Sequence, residues 1–136
     1  MTTLKEIVDF ILSKNISVSL VTPAMMPSGA RKVAEDDFSD VSVWYGVEGF
    51  YKSDKLYICE SEGQIHYMTR YGECEELFGT MDEVVKKLCS ENMYWWKVTC
   101  ERNPRSTIAF DGRWLPLLVE HGFVKPIVET RYVAAK

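Results

Sequence analysis

Arg102, Arg105 and Arg113 lie close in sequence to Tyr94, Trp95, Trp96 and Trp114, and this is the stretch of the chain richest in groups that could grip a ligand. A guanidinium offers a planar fork of donors to phosphate or carboxylate, and an aromatic ring offers a face for stacking. That combination suits a nucleotide or the hot spot of a protein partner. The competing reading is core packing: adjacent residues on a helix point about 100° apart, so at least one of Trp95 and Trp96 is expected inside. Asn103-Pro104-Arg105 and Asp111-Gly112-Arg113 read as turns, where side chains project from a rigid support and recognition residues concentrate. The binding surface is therefore expected at Arg102, Arg105, Arg113 and Trp114, with Trp114 a partly exposed anchor at the edge of a helix. If Trp114 is core instead, its loss should cost stability rather than affinity.

Other reactive residue types are present without the spacing that chemistry needs. His66 falls on a strand-like segment and His121 at a helix end, and neither has a His or Cys neighbour at metal-ligand spacing. His121 is explained by the favourable field at a helix C-terminus, and His66 reads as an ordinary cross-strand histidine. Cys59 and His66 would make a nucleophile and base only if adjacent hairpin strands brought them together. Cys74 is flanked by Glu73, Glu75 and Glu76, whose charge disfavours a thiolate. The nucleophile elbow, dinucleotide fingerprint and phosphate-binding loop motifs are absent, so no catalytic residue, metal or cofactor is assigned.

Glu73, Glu75, Glu76, Asp82 and Glu83 form the densest acidic run. They could mimic nucleic-acid phosphates or hold a divalent cation, but the calcium-loop pattern is missing and Asp82 and Glu83 suit the first turn of a helix. A solvated acidic surface accounts for the run. The formal net charge of −4 opposes general nucleic-acid binding, which relies on clustered Lys and Arg.

The elements that must position these residues follow from 136 residues with 46% hydrophobic content, enough for one domain over 1–136 with a real core. The apolar runs are far shorter than the roughly 18 residues of a membrane span. The first residues lack the features of a signal peptide, so a cytoplasmic location is the expectation. Cys59, Cys74, Cys89 and Cys100 are too widely spaced for a metal knuckle and are expected as free thiols.

Thr3 with Glu6 is a capping box and predicts a helix over 4–14, followed by alternation at Ile16, Val18 and Leu20 that suits a strand. Residues 22–40, with Pro23, Pro27 and Gly29 as breakers, are the expected place for a mobile insertion, although Ala30, Val33, Ala34 and Phe38 fit one or two helical turns. Strands are predicted over 41–51, 55–60 and 64–71, with Ser61-Glu62-Gly63 as a turn. Thr80 with Glu83 opens a second helix, expected to run to about Cys100, although 94–99 also suits a strand by propensity. A short helix from Trp114, ended by Gly122, and a last strand over 123–133 complete the reading. The fold class is α+β: an antiparallel sheet of four or five strands with two or three helices packed mainly on one face, the other meeting solvent or a partner.

The Leu56-Tyr57-Ile58-Cys59-Glu60 strand, the Thr69-Arg70-Tyr71-Gly72-Glu73 segment and the stretch from Trp114 to Lys125 resemble small accessory proteins of tailed bacteriophages. The resemblance covers about the C-terminal two-thirds and carries no site residues. It implies an early-expressed protein in the cytoplasm of a bacterial host cell that inhibits a host or bacterial defence protein by stoichiometric binding. A protein that sequesters a nucleotide signal through Arg102, Arg105, Arg113 and Trp114 is the alternative, and an acidic DNA mimic the second. A homo-oligomer stays open.

Overall fold

In the computed structural model the described residues are 2–49, 55–102, 113–125 and 134–135, with the backbone alone described over 92–102. The first capping box forms as the sequence dictates: Glu6 N donates to Thr3 Oγ1 at 3.2 Å and Thr3 N to Glu6 Oε1 at 3.3 Å, opening α1 (Leu4–Ser13). Asn15, at φ 61°, turns the chain back, and Ile16 is buried before β1 (Val18–Val21) begins. Four further strands follow, β2 (Trp44–Glu48), β3 (Lys55–Ser61), β4 (Gln64–Met68) and β5 (Cys74–Leu77). They form one antiparallel sheet in the order β1-β2-β3-β4-β5, so each strand pairs with its neighbours in sequence. Glu62 and Gly63, at φ 53° and 79°, make the two-residue β3–β4 turn whose twist matches the flanking strands.

Alternation gives this sheet two apolar faces. On one, Val47, Ile58, Ile65 and Tyr67 pack against Ile7 and Ile11 of α1, against α3 (Met81–Arg102) and against α4 (Leu115–Glu120). The reciprocal Thr80–Glu83 hydrogen bonds open α3, and its Val84, Val85, Leu88 and Cys89 are buried in this core. The helix continues without interruption through 94–99, so the helical reading of that stretch holds for the backbone. Favourable propensity and the cap outweigh the β-prone aromatic run.

The other face does not meet solvent along its length. Within residues 22–40 the helical turns expected at Ala30, Val33, Ala34 and Phe38 form α2 (Ser28–Asp37), preceded by a 3₁₀ turn (Pro23–Met25). The prolines act as starts, not breakers: Pro23 is the first residue of the turn and Pro27 the N-cap of α2. Met26, Ala30, Ala34 and Phe38 form a narrow stripe that buries against Val21, Trp44, Tyr57, Cys59 and Met68. The sheet is thus covered by α1, α3 and α4 on one side and by α2 on the other, an α+β architecture. The acidic run supplies the edge strand β5, where Glu75 pairs with Lys87 of α3 and Glu76 lies across from His66. Of the expected last strand, residues 123–125 are not in a strand and 126–133 lie outside the described residues. No described helix is long and apolar enough to cross a membrane.

Candidate functional site

Cys59 pairs with His66, and His66 with Glu76, in the register of β3, β4 and β5. Continued one residue beyond Tyr45↔Ile58, the β2–β3 register adds Trp44 to the same row. The ring of Phe38 stands edge-on to both Trp44 and His66, with centroids 5.2 and 5.1 Å away. The hairpin therefore does bring Cys59 and His66 side by side. Their surroundings remove the chemistry: burial, with smaller effects from Asp40 and Cys74, pushes the Cys59 thiol up to about 12. Almost no thiolate exists there at neutral pH. The neighbouring Ser61 hydroxyl donates to both carboxylate oxygens of Asp40, at 2.9 and 2.7 Å, which pins the α2–β2 connection to β3.

The other described thiols, Cys74 and Cys89, follow the same pattern, and the Cys100 side chain lies outside the described residues. Burial pushes Cys89 up to about 12, and burial with the Asp37 and Glu75 charges raises Cys74. Cys59, Cys74 and Cys89 are all unpaired. Among the described residues no cluster of His, Cys, Asp and Glu is disposed to hold a metal.

Of the arginine-tryptophan cluster, only the Arg113 and Trp114 side chains are among those described, and Trp114 is not the partly exposed residue expected from the sequence. Trp114 is 1% exposed and belongs to the core between α4 and the sheet, with its indole N–H donating to the Glu48 carbonyl at 2.6 Å. It is a structural residue, not an exposed anchor: a main-chain acceptor at the end of β2, remote in sequence, satisfies its polar edge and lets the ring go inside. Arg113 is exposed, and its Nη1 donates to the Asn15 carbonyl at 2.5 Å. Together Arg113 and Trp114 fasten α4 to the α1–β1 turn and to β2. Arg102 is the final residue of α3, and Arg105 lies outside the described residues. His121, beside Gly122 at the end of α4, has its Nε2 3.9 Å from Asp82 in the first turn of α3, so it too joins helices.

The β4–β5 turn is held by its own hydrogen bonds and by a close backbone approach. Between β4 and β5, Thr69 N donates to Glu73 O at 2.8 Å and Gly72 N to Thr69 O at 3.0 Å, while Thr69 Oγ1 accepts from Tyr71 N and Glu73 N. The start of α2 braces this turn from behind. A Cβ at Gly29 would stand 2.9 Å from the Tyr71 carbonyl oxygen, and one at Gly72 would stand 2.7 Å from Val33 Cγ2 and 2.8 Å from the Gly29 oxygen. Only glycine at both positions allows the two backbones to touch. Outside this brace Tyr71 is 56% exposed, with the Arg70 guanidinium 5.4 Å from its ring centroid.

Comparison with known protein families, curated proteins and solved structures finds no match. The surface itself is then the guide to function. Sequence reasoning gives Arg70 and Tyr71 no role beyond their place in the segment that resembles phage proteins. A threonine acceptor followed by glycine signals a turn, but the contact between Gly29 and Gly72 joins distant segments and leaves no periodic trace. A cavity of about 210 Å³ also opens between the start of α1, the β3–β4 turn and the end of β5, bordered by Glu60, Glu76 and Phe78. It is smaller than the roughly 300–1,000 Å³ usual for small-molecule sites, and its two carboxylates oppose an anionic nucleotide.

Proposed function

We propose that this chain is a non-enzymatic binding protein that acts by stoichiometric contact with another protein, with Tyr71 on the β4–β5 turn as the anchor. In the phage setting that the sequence resembles, the partner is a host or bacterial defence protein. The observation that carries the reading is a half-exposed tyrosine, beside an arginine, on a turn held by its own hydrogen bonds and by the backbone of α2. Tyrosine and arginine dominate binding hot spots because they bring large contact area and directed donors. A rigid support lowers the entropy lost on binding. The raised thiol pKa of Cys59 and the Ser61–Asp40 hydrogen bonds add support, since the Cys59 and Ser61 side chains are engaged in burial and in a hydrogen bond.

Affinity recovery from bacterial lysate, performed in parallel with wild type and Tyr71→Ala, tests the reading. A stoichiometric partner retained by wild type and lost with Tyr71→Ala is the expected result, since a hot-spot tyrosine contributes about 2 kcal/mol or more. Equal retention by the folded variant eliminates Tyr71 as the anchor. Reproducible turnover of a substrate by the purified chain overturns the non-enzymatic reading.

A further inference from the structure

The two edges of the sheet are chemically unlike. The β5 edge carries Glu75 and Glu76 within four residues, the kind of charge that discourages strand addition. The β1 edge reads Val18-Ser19-Leu20-Val21 and carries none. Glu48 N donates to Ser17 O at 2.9 Å, which makes Ser17 and Glu48 a hydrogen-bonded pair one step beyond Val18↔Val47. Alternation along an antiparallel ladder then turns the peptide groups of Ser19 and Val21 toward β2 and those of Val18 and Leu20 away from the sheet. Leu20 is 63% exposed, Ser17 and Ser19 are exposed as well, and among the described residues β1 pairs only with β2, so its outer side is an edge.

From this edge we infer that β1 pairs antiparallel with β1 of a second copy of the chain, about a twofold axis through Ser19. The outward groups are their own complement under that rotation. Val18 of one copy faces Leu20 of the other, and each such pair exchanges two N–H···O bonds. Leu20 then covers Val18 of the second copy on the face shared with Tyr45 and Val47, and the two Ser19 residues meet at a non-hydrogen-bonded position. Charge favours the same arrangement. Glu75 and Glu76 sit on the opposite edge strand, and Asp37 and Asp40 neighbour Cys74 and Cys59 of β5 and β3. Two copies of a chain of net charge −4 can thus meet along a charge-free stretch.

Cysteine scanning reads the register directly. In a Cys74→Ser background, Ser19→Cys is expected to form a disulfide-linked dimer under mild oxidation, because directly opposed residues at a non-hydrogen-bonded site lie within disulfide reach. Val18→Cys and Leu20→Cys, displaced from their own copies by the same axis, are expected to link poorly. Sedimentation velocity of the wild type should show a concentration-dependent dimer. Leu20→Pro removes only an outward N–H and should shift the protein to monomer, and Leu20→Lys provides the same test without altering the backbone. Wild type that stays monomeric up to its solubility limit, or linkage at position 19 no faster than at 18 and 20, overturns the inference. Both results are independent of whether Tyr71 binds a partner.

Discussion

The indole N–H of Trp114 donates to the main-chain carbonyl of Glu48 at 2.6 Å, so α4 is fastened to β2 by a side chain that the core also surrounds. Trp44, on the opposite face, is equally buried, but its Nε1 has no hydrogen-bond partner among the described residues. Trp114→Phe removes a made bond and strands a carbonyl, whereas Trp44→Phe removes a donor that was unsatisfied. Urea unfolding should therefore show a larger loss for Trp114→Phe, by about 1 kcal/mol or more, and about 3–5 kcal/mol for Trp114→Ala. A costlier Trp44→Phe would mean that the Glu48 bond does not hold α4.

The contact between α2 and the β4–β5 turn should tolerate no added methyl. Gly29→Ala sets a Cβ against a backbone carbonyl that cannot swing away, and Gly72→Ala adds an unfavourable φ of +88° to a clash with Val33. Each is expected to cost about 1–3 kcal/mol or more. Gly63→Ala is the control: φ is +79° but the space is open, so only the left-handed penalty of about 1–2 kcal/mol applies. Thermal unfolding of the three variants orders them, and a Gly29→Ala no less stable than wild type would show that the backbone approach is not tight.

The buried thiols predict alkaline weakening. Cys59 and Cys89 titrate from the ordinary value of 9.0 when unfolded up to about 12 when folded. Between those limits the folded chain binds more protons than the unfolded one, so stability falls as pH rises from about 9 toward 12 and is unaffected by these groups below. A Cys59→Ala variant should show a shallower decline in melting temperature across that window. At neutral pH, thiol reagent followed by peptide mapping should label exposed Cys74 in the folded protein and reach Cys59 and Cys89 only on unfolding.

At the acid end, the Glu75 carboxylate is held below its ordinary range by its hydrogen bond from Lys87, with a further contribution from the Tyr67 hydroxyl. A depressed folded value gives stability above the unfolded pKa that disappears as pH falls through the folded one. Glu75→Gln is expected to flatten the acid limb of the stability profile, with a small effect at neutral pH because the ion pair is half-exposed. An unchanged acid limb would remove Glu75 from the account of acid stability.

What the sequence made legible was local chemistry. Thr3–Glu6 and Thr80–Glu83 were readable because a capping box is a contract among residues three apart, and Glu62-Gly63 because a two-residue turn demands left-handed φ. The second layer was under-read. The helical turns at Ala30, Val33, Ala34 and Phe38 were readable, but Ala30 and Ala34 are small and α2 ends in Glu35, Asp36 and Asp37, so nothing local showed that its stripe covers the second face of the sheet. β5 was hidden for the converse reason: a strand half made of glutamate is stabilised by Lys87 and by pairing with β4, neither visible locally. At the candidate site, Trp114 looked like surface because it follows a turn motif. The acceptor that buries it belongs to another element.

The strict neighbour order of the strands has a consequence for how quickly the chain can find its fold. The β3–β4 turn and the Thr69–Glu73 turn bring their partners together across a few residues, so β3, β4 and β5 can zip from local hairpins at little loop-closure cost. β1 is different, because its pairing with β2 must enclose the whole of α2. It is expected to dock after the hairpins have formed. Conservative truncations in β1 should then leave the refolding rate almost unchanged and accelerate unfolding, while truncations at Ile58 or Tyr67 slow refolding.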